Sequence, residues 1–161
     1  MRLVITMSRR FGTGASIIAK ELSERLQIPV YDKDFIHNEQ LEKNYDDEAA
    51  TVKELAKQPC IIIGRCASDI LKNQMNVLNI YVYADKEDRI QRIMKTHTLS
   101  YEDAKALVET TDQQRADYYH KETGKMWGDV NDYHMILNTS ELGIDNCANI
   151  LMQYFEKLEY I

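Results

Sequence analysis

Five short runs, each dominated by apolar residues, alternate along this chain with stretches of helical periodicity, and that alternation limits what it can fold into. The runs are Arg2–Met7, Pro29–Tyr31, Cys60–Ile63, Val77–Ala84 and His134–Leu137. The third and fourth are rich in β-branched and aromatic residues and free of proline, as central strands are. Their apolar character is continuous instead of alternating, so both faces must be covered. Strands of this kind separated by helices imply a parallel sheet, here a three-layer α/β sandwich with five strands.

The helical stretches carry their own signals. Ile17, Ile18, Leu22 and Leu26 recur on one face, with Lys20, Glu21, Glu24 and Arg25 opposite. Asp32 can cap a helix through Phe35 and Ile36. The acidic stretch from Asn38 to Glu48 reads as a solvated face, and Val52, Leu55 and Ala56 restore a helical pattern before Pro59. A further helix is expected between the third and fourth strands, and another after Asp85 through Ile90, Ile93 and Met94. Ser100 with Asp103 has the form of a capping box that opens a long helix toward Tyr119. Ile144, Ala148, Leu151, Met152 and Phe155 mark the last helix.

Ligands of parallel sheets bind beyond the carboxyl ends of the strands. The segment there is Ser8-Arg-Arg-Phe-Gly-Thr-Gly-Ala-Ser16, between the first strand and its helix. Gly12 and Gly14 allow backbone angles that turn several N–H groups inward, and the helix N-terminus adds positive partial charge. A polyphosphate held by Arg9, Gly12, Thr13, Gly14, Ala15 and Ser16 is therefore expected, with the Ser16 hydroxyl offered to a magnesium ion. The pattern G-x-x-x-x-G-K-S/T is incomplete, because Arg9 replaces the first glycine and Ala15 the lysine. Arg9 and Arg10 are the nearest cations that can replace that lysine. The third glycine of a dinucleotide fingerprint is missing, which argues against an oxidoreductase.

Composition narrows the field further. With 161 residues, 44% hydrophobic and 29% charged, the chain fits a single globular domain. A net charge of −6 argues against a nucleic-acid polymer as partner, because such binding depends on neutralising many phosphates. It leaves room for a small phosphorylated ligand met by a few converging arginines. Cys60, Cys66 and Cys147 are odd in number and match no zinc spacing, and nothing before Arg2 resembles a secretory leader, so reduced thiols and a cytoplasmic location are expected. No apolar run approaches the roughly 20 residues that span a bilayer. His37, His97, His120 and His134 are dispersed and read as structural. No serine-hydrolase elbow or zinc-protease motif is present.

Several motifs, in order, resemble the cytidylate kinase-like branch of the nucleoside monophosphate kinases over nearly the whole chain. Ile5-Thr-Met-Ser-Arg9 with Phe11-Gly-Thr-Gly14 is similar to that branch's phosphate loop, which also commonly lacks the lysine. Tyr31-Asp-Lys33 resembles the turn where an aspartate meets the acceptor nucleotide, which implies that role for Asp32; an ordinary helix cap is the alternative. Ile63-Gly-Arg65 is similar to the pair whose arginine holds the acceptor phosphate, a task suited to the two-pronged guanidinium. Arg89 and Arg92, three apart on one helical face, resemble arginines that precede the lid. Thr111-Asp112-Gln-Gln-Arg115-Ala-Asp-Tyr118-Tyr119, then Thr123-Gly124 and Trp127-Gly128, resemble the lid and its flank. The resemblance implies catalytic roles for Arg115, Arg92 and Arg89, Arg115 first. A surface ion pair of Arg115 with Glu109 or Asp112 is the plainer alternative. Asn138-Thr-Ser-Glu-Leu-Gly-Ile-Asp145 resembles the loop near the donor base, with Asn138 where an acidic residue is usual. Tyr118, Tyr119 and Trp127 can stack on a base or simply pack between helices.

The resemblance implies a P-loop NTPase fold of nucleoside monophosphate kinase type with a helical lid. Residues 1–161 then form one kinase-like domain, with an acceptor-binding region at about 32–58 and a lid at about 97–128. It also implies ATP-dependent phosphotransfer to a nucleoside monophosphate, with ATP and Mg²⁺. The partner is a small nucleotide, not a nucleic-acid polymer or a membrane, and the oligomeric state stays open. The absent lysine and the short stretch from His37 to Pro59 keep a second reading alive, a nucleotide-binding regulatory protein with impaired catalysis.

Overall fold

The computed structural model describes residues 3–32, 45–64 and 66–158. The helix expected through Phe35 and Ile36, and Arg65, lie outside the described residues. The described elements run β1 (Val4–Arg9), α1 (Ala15–Leu26), β2 (Val30–Tyr31), α2 (Tyr45–Leu55), β3 (Cys60–Ile63), α3 (Ala67–Ile70) and β4 (Val77–Tyr83). They continue with α4 (Lys86–His97), α5 (Tyr101–Thr123), a 3₁₀ turn (Val130–Asp132), β5 (Met135–Asn138), α6 (Thr139–Leu142) and α7 (Ile144–Lys157).

All five strands are parallel, in the order β2-β3-β1-β4-β5. Each strand's residues point alternately to the two faces. Leu3, Ile5 and Met7 join Ile61, Ile63 and Ile80 beneath α1 and α7, which contribute Ile18, Leu22, Leu151 and Phe155. On the opposite face Val4, Cys60 and Ile62 pack with Val52 of α2 and with Ala67 and Leu71. A third cluster ties α4 to α5 through Ile90, Ile93, Ala104 and Val108, with Phe11 against it. The expected three-layer α/β architecture is therefore present.

Continuous apolar character holds for β3 but not for β1 and β4. Thr6 of β1 and Asn79 of β4 are buried side by side, and the Thr6 hydroxyl donates to Asn79 Oδ1 at 2.6 Å. Two buried polar groups satisfy each other, which removes the desolvation penalty either would carry alone. Asn79 N also donates to His134 Nδ1 at 2.8 Å, so this histidine is structural as expected. Burial raises the thiols of Cys60, to about 12, and Cys147.

Element boundaries differ from expectation where a single turn or a strand end decides them. β1 runs on to Arg9 because β4 continues beside it, Arg9 opposite Val82. The helix between β3 and β4 is only one turn, Ala67–Ile70. The Ser100 half of the expected capping box forms: the Ser100 hydroxyl accepts from Asp103 N at 3.2 Å, and α5 extends to Thr123 before Gly124 turns left-handed at φ 73°. Replacing Ser100 with alanine is expected to lower stability by about 1 kcal/mol, read as an earlier chemical-denaturation midpoint at constant slope. No helix among the described residues is long and apolar enough to cross a membrane.

β3 parts from β1 earlier than β4 does. The β1–β3 ladder ends at Met7 and Ile63, whereas β1 stays paired with β4 to Arg9. From there the chain after β1 turns toward α1 on one face and the chain after β3 toward α3 on the other. This divergence opens a crevice at the carboxyl ends of β1 and β3, where parallel sheets bind ligands.

Candidate active site

The segment between β1 and α1 has the shape a phosphate cradle needs. Gly12 has φ 86° and Gly14 φ 85°, both left-handed. A Cβ on Gly12 would stand 3.0 Å from the Arg89 carbonyl oxygen, and one on Gly14 would overlap the Ile144 side chain. Both glycines thus allow a helix to press against the loop. Thr13 is buried between them, and its carbonyl accepts from the Thr139 hydroxyl at 2.9 Å. Gly14 caps α1 without a side-chain hydrogen bond, and its carbonyl accepts from Ile17 N and Ile18 N. Ala15 N and Ser16 N, ahead of these two, have no acceptor within the helix, so this terminus attracts an anion. Ser16 is exposed at this turn, whereas Ala15, in the lysine position, is buried in the main core.

Cations reach the crevice from elsewhere. The Arg9 guanidinium lies over Gly64, where an added Cβ would be 2.8 Å from Nη1, and its Nη2 is 4.0 Å from Asp32 Oδ1. Arg115 arrives from α5: its Nη1 donates to the Arg9 carbonyl at 3.1 Å, and its guanidinium lies 5.4 Å from the Phe11 ring centroid. Burial, with the Arg9 charge beside it, pushes Arg115 down to about 10, so it remains cationic at neutral pH. The surface pairing considered for Arg115 does not form. Glu109 pairs with Lys86 and Lys105 instead, and Asp112 with Arg89.

These groups border a hollow of about 360 Å³ lined by Arg9, Glu48, Gly64, Arg115 and Tyr118. Glu48 was read as part of a solvated acidic face, but it is only 4% exposed, and the Tyr118 hydroxyl is 3.3 Å from each of its carboxylate oxygens. Burial and that carboxylate push the Tyr118 hydroxyl up. The partners are 70 residues apart, so no local pattern could have shown the contact.

Arg89 and Arg92, expected together, serve different surroundings. Arg89 is buried beneath the loop, its Nη1 2.6 Å from Asp112 Oδ2 and its Nε donating to the Ala84 carbonyl at 3.1 Å. Arg92 lines a second cleft, of about 590 Å³, with Gly12, Asp88, Ser140, Ile144 and Asp145. That cleft shares no lining residue with the hollow beside Arg115. Asn138 caps α6, its Oδ1 accepting from Ser140 N at 3.0 Å. Arg10 stacks 4.7 Å above the Trp127 ring, and Trp127 meets Tyr81 edge-on, so this tryptophan packs beside the loop. Tyr119 is buried and Tyr118 faces the hollow.

The order of the parallel sheet, the glycine loop and the arginines around it define a P-loop kinase fold. The chain belongs to the cytidylate kinase-like family, whose model matches residues 4–49 and 38–141. Among solved structures it is similar to an uncharacterized protein from Eubacterium ventriosum ATCC 27560, with TM-score 0.87, 24% identity, and 96% and 98% of the two chains covered. It is also similar to a shikimate kinase from Bacteroides thetaiotaomicron, with TM-score 0.66, 14% identity and coverage of 96% and 98%. A gluconokinase from Sinorhizobium meliloti 1021 follows at TM-score 0.63, 13% identity and coverage of 99% and 97%. None of the curated proteins compared with the chain matches it.

The loop fits the nucleotide and metal that such a fold implies. The start of α1 turns its N-terminal end toward the loop as a polyphosphate site requires, and Ser16 presents an exposed hydroxyl at that first turn. Magnesium in kinase sites is held by substrate phosphates, waters and one or two protein oxygens. Among the described residues no group of three or more His, Cys, Asp or Glu side chains is arranged to hold a metal ion.

Proposed function

We propose that the protein is an ATP-dependent phosphotransferase acting on a nucleoside monophosphate, in the manner of cytidylate kinases. The observation that carries this reading is the convergence of Arg9, Asp32 and Arg115 beside the glycine loop, from segments more than a hundred residues apart at the extremes. The loop amides and the start of α1 hold the donor phosphates, and Ser16 holds the magnesium ion, which neutralises charge on them. Arg92 and the Ser140–Asp145 wall receive the donor base. Residues about 32–58 hold the acceptor, with Asp32 and Arg65 as its contacts, and residues about 97–128 form the lid region, all within one domain.

An acceptor phosphate oxygen attacks the terminal phosphorus of ATP in line, and the bond to the bridging oxygen breaks to release ADP. The attacking oxygen is already ionised, so no general base is required. What the protein supplies is alignment and cationic stabilisation of the transferring group, from Arg115 and Arg9. The proposed location is the cytoplasm, in keeping with the three free cysteines and with ATP as donor.

A coupled ADP-release assay across the nucleoside monophosphates, with shikimate and gluconate as non-nucleotide acceptors, tests the reading. Turnover is expected with at least one pyrimidine monophosphate and absent with the two non-nucleotide acceptors. ATP binding without turnover on any nucleotide would reject the enzyme. It would favour the second reading, a nucleotide-binding regulatory protein, which the buried Ala15 in the lysine position supports.

A further inference from the structure

Helix α5 touches the phosphate loop with two side chains, Asp112 and Arg115, set three residues apart on one face. Asp112 Oδ1 accepts from Phe11 N at 2.8 Å, while its Oδ2 holds Arg89 Nη1 at 2.6 Å. Arg89 Nη1 in turn donates to the Phe11 carbonyl at 3.2 Å. The two members of one buried ion pair therefore grip both polar groups of a single loop residue. Arg115 fastens the preceding turn through the Arg9 carbonyl. Gly12 follows directly, with the Arg89 backbone closing the space beside its Cα.

A buried ion pair contributes little net stability compared with an apolar pair of similar volume. Its value here lies in where its hydrogen bonds end. Arg89 is 7% exposed and engaged through Nε and Nη1 beneath the loop, which leaves Arg115 and Arg9 as the cations facing the crevice from these elements. We propose that Asp112 is a positioning residue: it sets the backbone at the entrance of the phosphate loop before any nucleotide arrives, and so presets Arg115 over the crevice. This rests on reading the loop as a phosphate site. On this account α5 does not have to swing toward the loop for Arg115 to reach its place.

The test uses the full chain and two variants. The double variant Asp112→Leu with Arg89→Met removes the grip while keeping apolar bulk, and Asp112→Asn keeps an oxygen for Phe11 N–H but neutralises the charge. In nucleotide-free protein, amide hydrogen exchange at Gly12, Thr13 and Gly14 is expected to quicken about tenfold in the double variant and less in Asp112→Asn. Exchange in β3 should be unchanged. These three amides make no contact with Asp112, so a purely local role would leave them as they are. ATP affinity, read from the single tryptophan, Trp127, is expected to weaken about tenfold in the double variant and to recover in part in Asp112→Asn. Loop exchange equal to wild type in both variants overturns the proposal, and if the double variant does not fold, Asp112→Asn alone decides it. A wild-type protein that binds no ATP would instead reject the phosphate-site reading, while the exchange comparison still decides the role of Asp112.

Discussion

Replacing Arg115 with alanine is expected to lower the turnover number by about 10³ to 10⁵, the range over which a single arginine acts on a transferring phosphoryl group. The side chain is half-buried beside the loop and held at its Nη1 by the Arg9 carbonyl, which leaves the rest of the guanidinium fork available toward the crevice. Lysine should restore only a small part of the rate, because an ammonium cannot keep the backbone bond and present a second prong at once. The ATP dissociation constant should change much less than the turnover number, since charge on the transferring group matters most in the transition state. Equal losses in ATP affinity and turnover would show that Arg115 holds the ground-state nucleotide instead.

Replacing Gly14 with alanine is expected to destabilise the protein by roughly 2 to 5 kcal/mol and to abolish ATP binding. About 1 to 2 kcal/mol comes from forcing a side chain into a left-handed backbone, and about 1 to 3 from overpacking against Ile144. Gly124 provides the comparison: its φ is 73°, yet a Cβ there meets nothing within 4 Å. Its alanine variant should lose only the backbone part, about 1 to 2 kcal/mol, and bind ATP normally. Denaturation midpoints of the two variants side by side test this. Equal shifts would mean that contact between the loop and the start of α7 carries no energy.

Much of the fold is legible in the residues because the signals are local. A uniform apolar run marks Cys60–Ile63, a run interrupted only by Asn79 marks Val77–Tyr83, and the Ser100 cap marks the start of α5. The glycine loop is legible for the same reason, since two glycines between a strand and a helix lie together in the sequence. The companions of the loop are harder to read, because they are defined by pairing across distance. Asp112 and Phe11 are 101 residues apart, and Tyr118 and Glu48 are 70 apart. One signal was present without being used: Arg89 falls on the same side of α4 as Ile90 and Ile93, the face that is buried. A charged residue in an apolar stripe needs a buried partner, and Asp112 is that partner. A helix is expected between β3 and β4, but the length of the single-turn α3 is not legible, because four residues are too few to show a period.

The Thr6–Asn79 bond bears on how the site is assembled. Were β1 to slide by one position along β4 during folding, each of these groups would face an oily neighbour and both would be stranded. Such a slip would also shift Arg9 by about 3.3 Å along the strand and turn its side chain to the wrong face of the sheet. A polar pair near the middle of the sheet thus acts as a proofreader for the alignment of the strand that delivers the first phosphate-facing cation.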